Sequence, residues 1–381
     1  MNLKKNLPEI FDEFAEGRRQ AFINVKNLKD KNIPVIGIFC TYFPQELAVA
    51  MGASVVSLCA TSDETIPVAE EDLPKNLCPL IKSSYGFGKT DKCPFFYFSD
   101  LVVAETTCDG KKKMYEYMAE FKPVHVMELP NKVSEDGLQL WKHEIIRMKE
   151  KLEEVFGVTI TEEDIRRGIR VKNAERSAIK RFYSIMKQDV LPVSGMDVQK
   201  TLVGTTFNFN REEIPAQMDE LIKRIEEEGE QLEKKPRILI TGCPIGGAAE
   251  KVIQIIEENG AYCVAFENCT GAKAIEENVD ESIEDVYEAL AKKYMRIGCS
   301  CMSPNENRFH LLGEMIDEYK ADAVVDVELS ACHTYALETG KVKELVRNQK
   351  NIPYLSIETD YSAADIGQLT TRLSAFIEML K

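Results

Sequence analysis

The sequence predicts an α/β fold in two similar halves, and three observations carry that prediction. Short β-rich apolar runs alternate with helical segments near both ends of the chain, the pattern of parallel sheets. Between about 135 and 233 the alternation gives way to long, charged segments with helical periodicity. An order of strand, cysteine, helix, Gly-Ala, strand and cysteine also occurs twice, near 34–59 and near 236–269.

The elements follow in turn. After a helical N-terminal segment, "PVIGIFC" (34–40) is an apolar strand ending in Cys40. "PQELAVAMGA" is a short helix stopped by glycine, and "SVVSLCA" (54–60) is the second strand. "DLVVAET" (100–106) and "VHVMELP" (124–130) are further strands, with the helix "KKKMYEYMAEF" between them. "LWKHEIIRMKEKLEEVF", "EEDIRRGIRVKNAERSAIKRFYSIM" and "EIPAQMDELIKRIEEEGEQLE" are the long helices of the middle. The first pattern then returns in "PRILITGC" (236–243), "GGAAEKVIQIIEENGA", "YCVAFENC", "ADAVVDVELSAC" and "IPYLSIETD", closed by a last helix. We therefore expect two similar Rossmann/flavodoxin-like parallel-sheet domains: residues 1–134, which include the N-terminal helix, and residues 236–381. A helical bridge over 135–235 joins them. Ligands in such sheets gather beyond the carboxyl ends of the strands.

Composition narrows the function. The 381 residues suffice for two cores, and 44% hydrophobic with 29% charged residues is a globular balance. A net charge of −15 leaves no cation excess to neutralise phosphates, which argues against nucleic acid as a partner. "MNLKKNLPEIFDEFAEGRRQ" has no apolar leader core, and no run approaches the roughly 18 apolar residues of a membrane span. The expectation is a cytoplasmic protein. Eleven cysteines in a reducing compartment then read as thiols or metal ligands rather than a disulfide framework.

Their placement is informative. Cys40, Cys59, Cys108, Cys243, Cys269 and Cys332 fall at or just past expected strand ends, while Cys299 and Cys301 sit in the turn-rich "GCSCMSPN". Cys78, Cys93 and Cys108 are spaced fifteen apart. Ten of the eleven are expected to face one cleft between the halves, and Cys263, inside a strand, belongs to a core. Zinc fits poorly, because the chain has one C-x-C, otherwise scattered cysteines and four histidines. Cys332 beside His333 is a poor nucleophile–base pair, since such groups must meet in space rather than in sequence. "GKT" (88–90) lacks the earlier glycine of a phosphate loop, and "TGCPIGG" (241–247) with Glu267 misses the dinucleotide register. Cysteines on separate loops among Gly, Pro, Thr and Asn fit an iron–sulfur site, whose thiolates and sulfides need close backbone N–H groups.

The same segments resemble a known family. "NLCPLIKSSYGFGKTDKCPFFYFSDLVVAETTCDGKKKMYEYM", "ILITGCPIGGAAEKV", "ENCTGAK", "GCSCMSPN", "DVELSACHTYA" and "IETDYS" are similar to the D-component subunits of 2-hydroxyacyl-CoA dehydratases. They resemble still more closely the related double-cubane cluster proteins. The resemblance runs over nearly the whole chain. It implies one [4Fe–4S] cubane on Cys78, Cys108 and Cys332. Cys93 and the Cys299-x-Cys301 pair depart from the dehydratase pattern and imply a second cubane, with Cys93, Cys269 and Cys301 as its ligands and Cys243 and Cys299 as rivals. The implied function is reduction of a small molecule at an [8Fe–9S] cluster fed by an ATP-dependent [4Fe–4S] reductase, in a homodimer. A dehydratase subunit with one [4Fe–4S] cluster and a non-catalytic electron carrier are the alternatives. Lys89, Glu105, Asn305, Arg308 and His333 are expected near the cleft, as structural hydrogen-bonding groups before proton donors.

Overall fold

The computed structural model describes residues 4–244 and 246–381; Ile245, inside the 241–247 turn, lies outside them. Helix α1 (Leu7–Asp30) leads into β1 (Val35–Ile38), α2 (Gln45–Ala50), β2 (Ser54–Ser57), α3 (Ile66–Ala69), α4 (Pro79–Lys89) and α5 (Pro94–Phe98). Strand β3 (Leu101–Glu105), α6 (Asp109–Met118) and β4 (Val124–Met127) complete the first sheet. Four longer helices follow: α7 (Glu135–Phe156), α8 (Glu162–Ser184), α9 (Gly195–Thr206) and α10 (Ile214–Glu228). The second sheet is built from β5 (Arg237–Gly242), α11 (Ala248–Glu258), β6 (Tyr262–Phe266), α12 (Ala272–Ile275), α13 (Val286–Met295) and α14 (Glu306–Glu318). It closes with β7 (Ala323–Leu329), α15 (His333–Glu344), β8 (Tyr354–Thr359) and α16 (Ile366–Glu378).

Both sheets are parallel and share one order, β2-β1-β3-β4 and β6-β5-β7-β8. In each, the strand order reverses between the first and third strands, which opens a crevice at their carboxyl ends. The predicted α/β class with two similar sheets is what the chain adopts.

Alternation along the strands sets the packing. Ile36, Ile38, Leu101 and Val103 face one way and meet Trp141 and Ile145 of α7 with Leu290 and Tyr294 of α13. Val35, Val56, Val102 and Ala104 face the other way, into a core continuous with the second sheet. The chain thus crosses over: α13, between β6 and β7, covers the first sheet. This matters because Cys299 and Cys301 follow α13 directly and are carried with it to the β1 loop, where Tyr42 donates to the Ile297 carbonyl (2.9 Å).

Caps explain the bridge helices. Ser134 accepts from the Gly137 N–H at the start of α7, whose end is the left-handed Gly157. Thr161 and Asp164 form a reciprocal capping box on α8. Helix α8 packs on α2, α10, α12 and α13, and α7 packs on α13. At the α8–α2 crossing Gly168 lies so close that a Cβ there would stand 2.3 Å from the Glu46 carbonyl oxygen. Helix α9, which the sequence pattern does not reveal, packs on α1 and α11 and so ties the N-terminal helix to the second half. The 78–108 stretch, loop-like in its residue types, is mostly the helices α4 and α5.

Candidate functional site

One cavity of about 500 Å³ lies at the carboxyl ends of both sheets. Ten of the eleven cysteines line it. Cys40, Cys59, Cys78, Cys93 and Cys108 come from the first half, and Cys243, Cys269, Cys299, Cys301 and Cys332 from the second. Cys263 is fully buried on β6, as its place inside a strand predicts. The six residues expected as ligands and their two rivals are therefore brought together. Cys40 and Cys59 join them without being singled out by the sequence as ligands; Cys59 donates to the Phe39 carbonyl (3.0 Å).

Local structure gives four of these thiols a shared setting. Cys78, Cys93, Cys108 and Cys332 are the N-cap residues of α4, α5, α6 and α15. Pro79 and Pro94 start their helices at a position where a missing N–H costs nothing. First-turn backbone N–H groups face the caps' sulfurs and act to lower the pKa of their thiols: Leu80 and Ile81 at Cys78, Phe95 and Phe96 at Cys93, Lys111 at Cys108, and Tyr335 at Cys332. N–H groups and the positive helix end both favour thiolate over thiol.

Burial works against them. It pushes the Cys93 and Cys108 thiols up, Cys269 up to about 11, and Cys243 further. Two pairs share protons instead. Cys78 and Cys332 act on each other: Cys332 is held down to about 7, with help from the Tyr335 N–H and Thr334, while Cys78 is raised. Likewise the Cys301 thiol holds Cys299 down to about 6, and the Lys273 and Lys111 charges add to it, while Cys301 is raised. Within each pair the thiolate is thus favoured at one sulfur, Cys332 and Cys299, over its neighbour.

The surrounding polar groups are largely committed. Glu267, fully buried, meets Lys273 Nζ at 2.9 Å, Arg308 Nε at 3.3 Å and the Thr241 hydroxyl at 2.5 Å. That use of Glu267 overturns a dinucleotide reading, which would need it free for a ribose. In the same turn, a Cβ on Gly242 (φ +101) would stand 2.2 Å from the Val327 carbonyl oxygen, so the glycine answers to packing. "GKT" ends α4, with Lys89 its last helical residue and Thr90 its cap, so it cannot wrap a phosphate. Lys89 pairs with Asp72 (2.7 Å) and Glu71 (3.1 Å) away from the cavity. Asn305 donates to Glu338 (2.8 Å), and Arg308 also binds Glu338 (2.5 Å). Glu105 is buried at the end of β3, and that burial pushes its carboxyl up to about 8. Of the five expected near the cleft, only His333 lines it. Cys332 turns to Cys78 and to Thr334 (3.9 Å), not to His333.

Among the described residues, no three His, Cys, Asp or Glu side chains are grouped to hold one metal ion. Ten thiols around one cavity suit a polynuclear group, in which each thiolate takes its own metal atom. No helix among the described residues is long and apolar enough to cross a membrane.

Fold and site together define a two-sheet α/β protein with a thiol-lined internal cavity. A family model, "2-hydroxyglutaryl-CoA dehydratase, D-component", matches residues 40–380. The chain belongs to that family. It is 59% identical over 384 residues, all of both chains, to "Putative dehydratase subunit YjiM" of Escherichia coli (strain K12). It is 24% identical to the (R)-phenyllactyl-CoA dehydratase beta subunit of Clostridium sporogenes, covering 93% of this chain and 94% of that one. A benzoyl-CoA reductase subunit of Thauera aromatica is 19% identical, with 92% of each chain covered. The chain is accordingly an enzyme of dehydratase or oxidoreductase type.

Proposed function

We propose that the chain is an iron–sulfur reductase, in which Cys78, Cys93, Cys108, Cys269, Cys301 and Cys332 hold an [8Fe–9S] double-cubane cluster beside a small-molecule substrate. The observation that carries this reading is the convergence of ten cysteines on one cavity from the loops of both sheets. Such a cluster, when bound, supplies electrons at a low potential tuned by charge, sulfur hydrogen bonds and solvent exposure.

The chain's own residues do the rest. The N–H groups at the starts of α4, α5, α6 and α15 stabilise sulfur charge, and Lys111 and Lys273 add positive charge near the thiols. The apolar wall from Leu80, Ile81 and Phe95 keeps bulk water away from the sulfurs. Electrons come from a separate ATP-dependent [4Fe–4S] reductase, for which the net charge of −15 offers a complementary docking field. The functional unit is a homodimer in the cytoplasm.

A second reading is an (R)-2-hydroxyacyl-CoA dehydratase subunit with one [4Fe–4S] cluster on Cys78, Cys108 and Cys332. The mutual influence of Cys78 and Cys332 across the cavity and the dehydratase names among the relatives favour it. No observation favours the electron carrier in its own right. The test is ATP-dependent reduction: the anaerobically prepared chain, mixed with a family reductase already reduced by dithionite and with ATP, is expected to lose visible absorbance and to turn over a substrate. The same mixture without ATP stays oxidised. ATP hydrolysis coupled to reduction by the chain alone contradicts the proposal.

A further inference from the structure

The cavity that gathers the cysteines extends to a wall without thiols, formed by Gln45, Lys172, Arg176, Arg211 and Lys293. Three of its cations are already matched. Lys172 Nζ lies 2.7 Å from Glu175 Oε2 and 3.2 Å from Gln45 Oε1. Arg176 donates to Glu46 Oε1 and Asn173 Oδ1, both at 2.8 Å. Arg211 reaches the Thr205 and Thr206 carbonyls (3.2 Å each) and Glu175 (3.4 Å).

Lys293 is different. It is only 6% exposed and lines the cavity, yet its ammonium has no hydrogen bond or ion pair among the described residues. It stands 3.9 Å from the centre of the neighbouring Tyr294 ring. Four cations (Lys172, Arg176, Arg211 and Lys293) thus share this wall with two carboxylates, Glu46 and Glu175. Glu277, whose charge also reaches Lys293, is held by Arg296 at 2.7 Å. Burial and the Arg176 charge push the Lys293 ammonium down to about 7. An unpaired buried ammonium is costly unless an anion meets it.

We infer that this wall is a carboxylate-binding subsite, with Lys293 as its free ligand, and that the substrate carries one carboxylate. The substrate half of the inference rests on the reading of the cysteine end as the redox centre. The subsite itself does not. The chemistry favours a carboxylate over a phosphate. Phosphate sites use free guanidinium forks or helix N-terminal N–H groups, whereas Arg176 and Arg211 here each already bind a carboxylate, the Arg176 Nε alone lacks a partner, and one compact ammonium remains. The cavity is of the size that encloses a small organic molecule.

The test is calorimetric titration of the anaerobically purified protein with propionate, propionamide and inorganic phosphate. Propionate is expected to bind about tenfold or more tightly than propionamide, and more tightly than phosphate. Lys293→Met should weaken propionate by about tenfold or more, while Lys293→Arg keeps it within a few-fold. Absent propionate binding, equal affinity for propionamide, a preference for phosphate, or an unchanged Lys293→Met each overturns the inference. Should Lys293→Met fail to fold, the propionate–propionamide comparison on the unaltered protein still decides. Iron is assayed on the same anaerobically purified samples: propionate binding by protein that carries no iron as purified sinks the cluster reading alone, and full iron without propionate binding sinks the subsite alone.

Discussion

Cys78 and Cys332 belong to loops of different sheets, yet their sulfurs meet across the cavity closely enough to shift each other's pKa, Cys78 up and Cys332 down. Each caps a helix, so the starts of α4 and α15 point at one place. That meeting links the fold to the chemistry: two parallel sheets with the same order turn their carboxyl ends toward a shared set of sulfurs.

If Cys93 belongs to a second cubane, its loss should spare the first. Cys93→Ser is expected to keep about half the iron of the unaltered chain, whereas Cys78→Ser and Cys332→Ser lose the half that Cys93→Ser retains. Cys263→Ser, in the core of β6, should keep all of it. Iron per chain after anaerobic purification checks all four. An unchanged iron content in Cys93→Ser removes it from the ligand set.

Glu257 gives a pH dependence with a definite sign. Burial pushes its carboxyl up to about 7 from the ordinary 4.5, despite N–H donors from Gly195, Met196 and Cys263. Below 4.5 both states are protonated and nothing is lost. Between 4.5 and about 7 the folded chain keeps a proton that the unfolded chain has released, so stability falls as pH rises. The full penalty above 7 is about 3 kcal/mol. Glu257→Gln should flatten that slope in denaturant midpoints measured from pH 4 to 8. Parallel profiles for the two proteins would contradict it.

The Arg308 network predicts a contrast with the surface. Arg308→Met leaves Glu338 without its 2.5 Å partner and Glu267 with one cation fewer in a buried setting. It should cost about 3–5 kcal/mol in urea unfolding. Lys89→Met, which breaks exposed pairs with Glu71 and Asp72, should leave the midpoint in place.

Gly168 tests how the bridge is held. Alanine is the better helix former by about 1 kcal/mol. Its Cβ, however, would stand 2.3 Å from the Glu46 carbonyl oxygen, so α8 must move off α2. Gly168→Ala is expected to destabilise by about 1–3 kcal/mol in thermal or urea unfolding. A stabilised variant would show that the two helices are not locked there.

Much of the fold is legible in the sequence, for physical reasons. Runs such as "VVAE" and "RILIT" are too short and too β-branched for anything but buried parallel strands, and a cysteine after each marks the carboxyl ends. The helix α4 is not legible, because "PLIKSSYGFGK" holds two serines and two glycines, which weaken the helical pattern. The capping role of Cys78, Cys93, Cys108 and Cys332 is hidden because cysteine is not among the usual cap residues, although proline directly after Cys78 and Cys93 is a signal. The crossover of α13 onto the first sheet leaves no local trace, so neither the approach of Cys299 and Cys301 to the β1 loop nor the cationic wall can be read. Lys172, Arg176, Arg211 and Lys293 meet only through tertiary packing.

The account depends most on what the ten sulfurs hold, and iron with acid-labile sulfide per chain after strictly anaerobic purification tests it most directly. We predict about eight irons and about nine sulfides per chain. About four of each would move the assignment to the single-cluster reading, and a colourless protein without iron would contradict the account at its root.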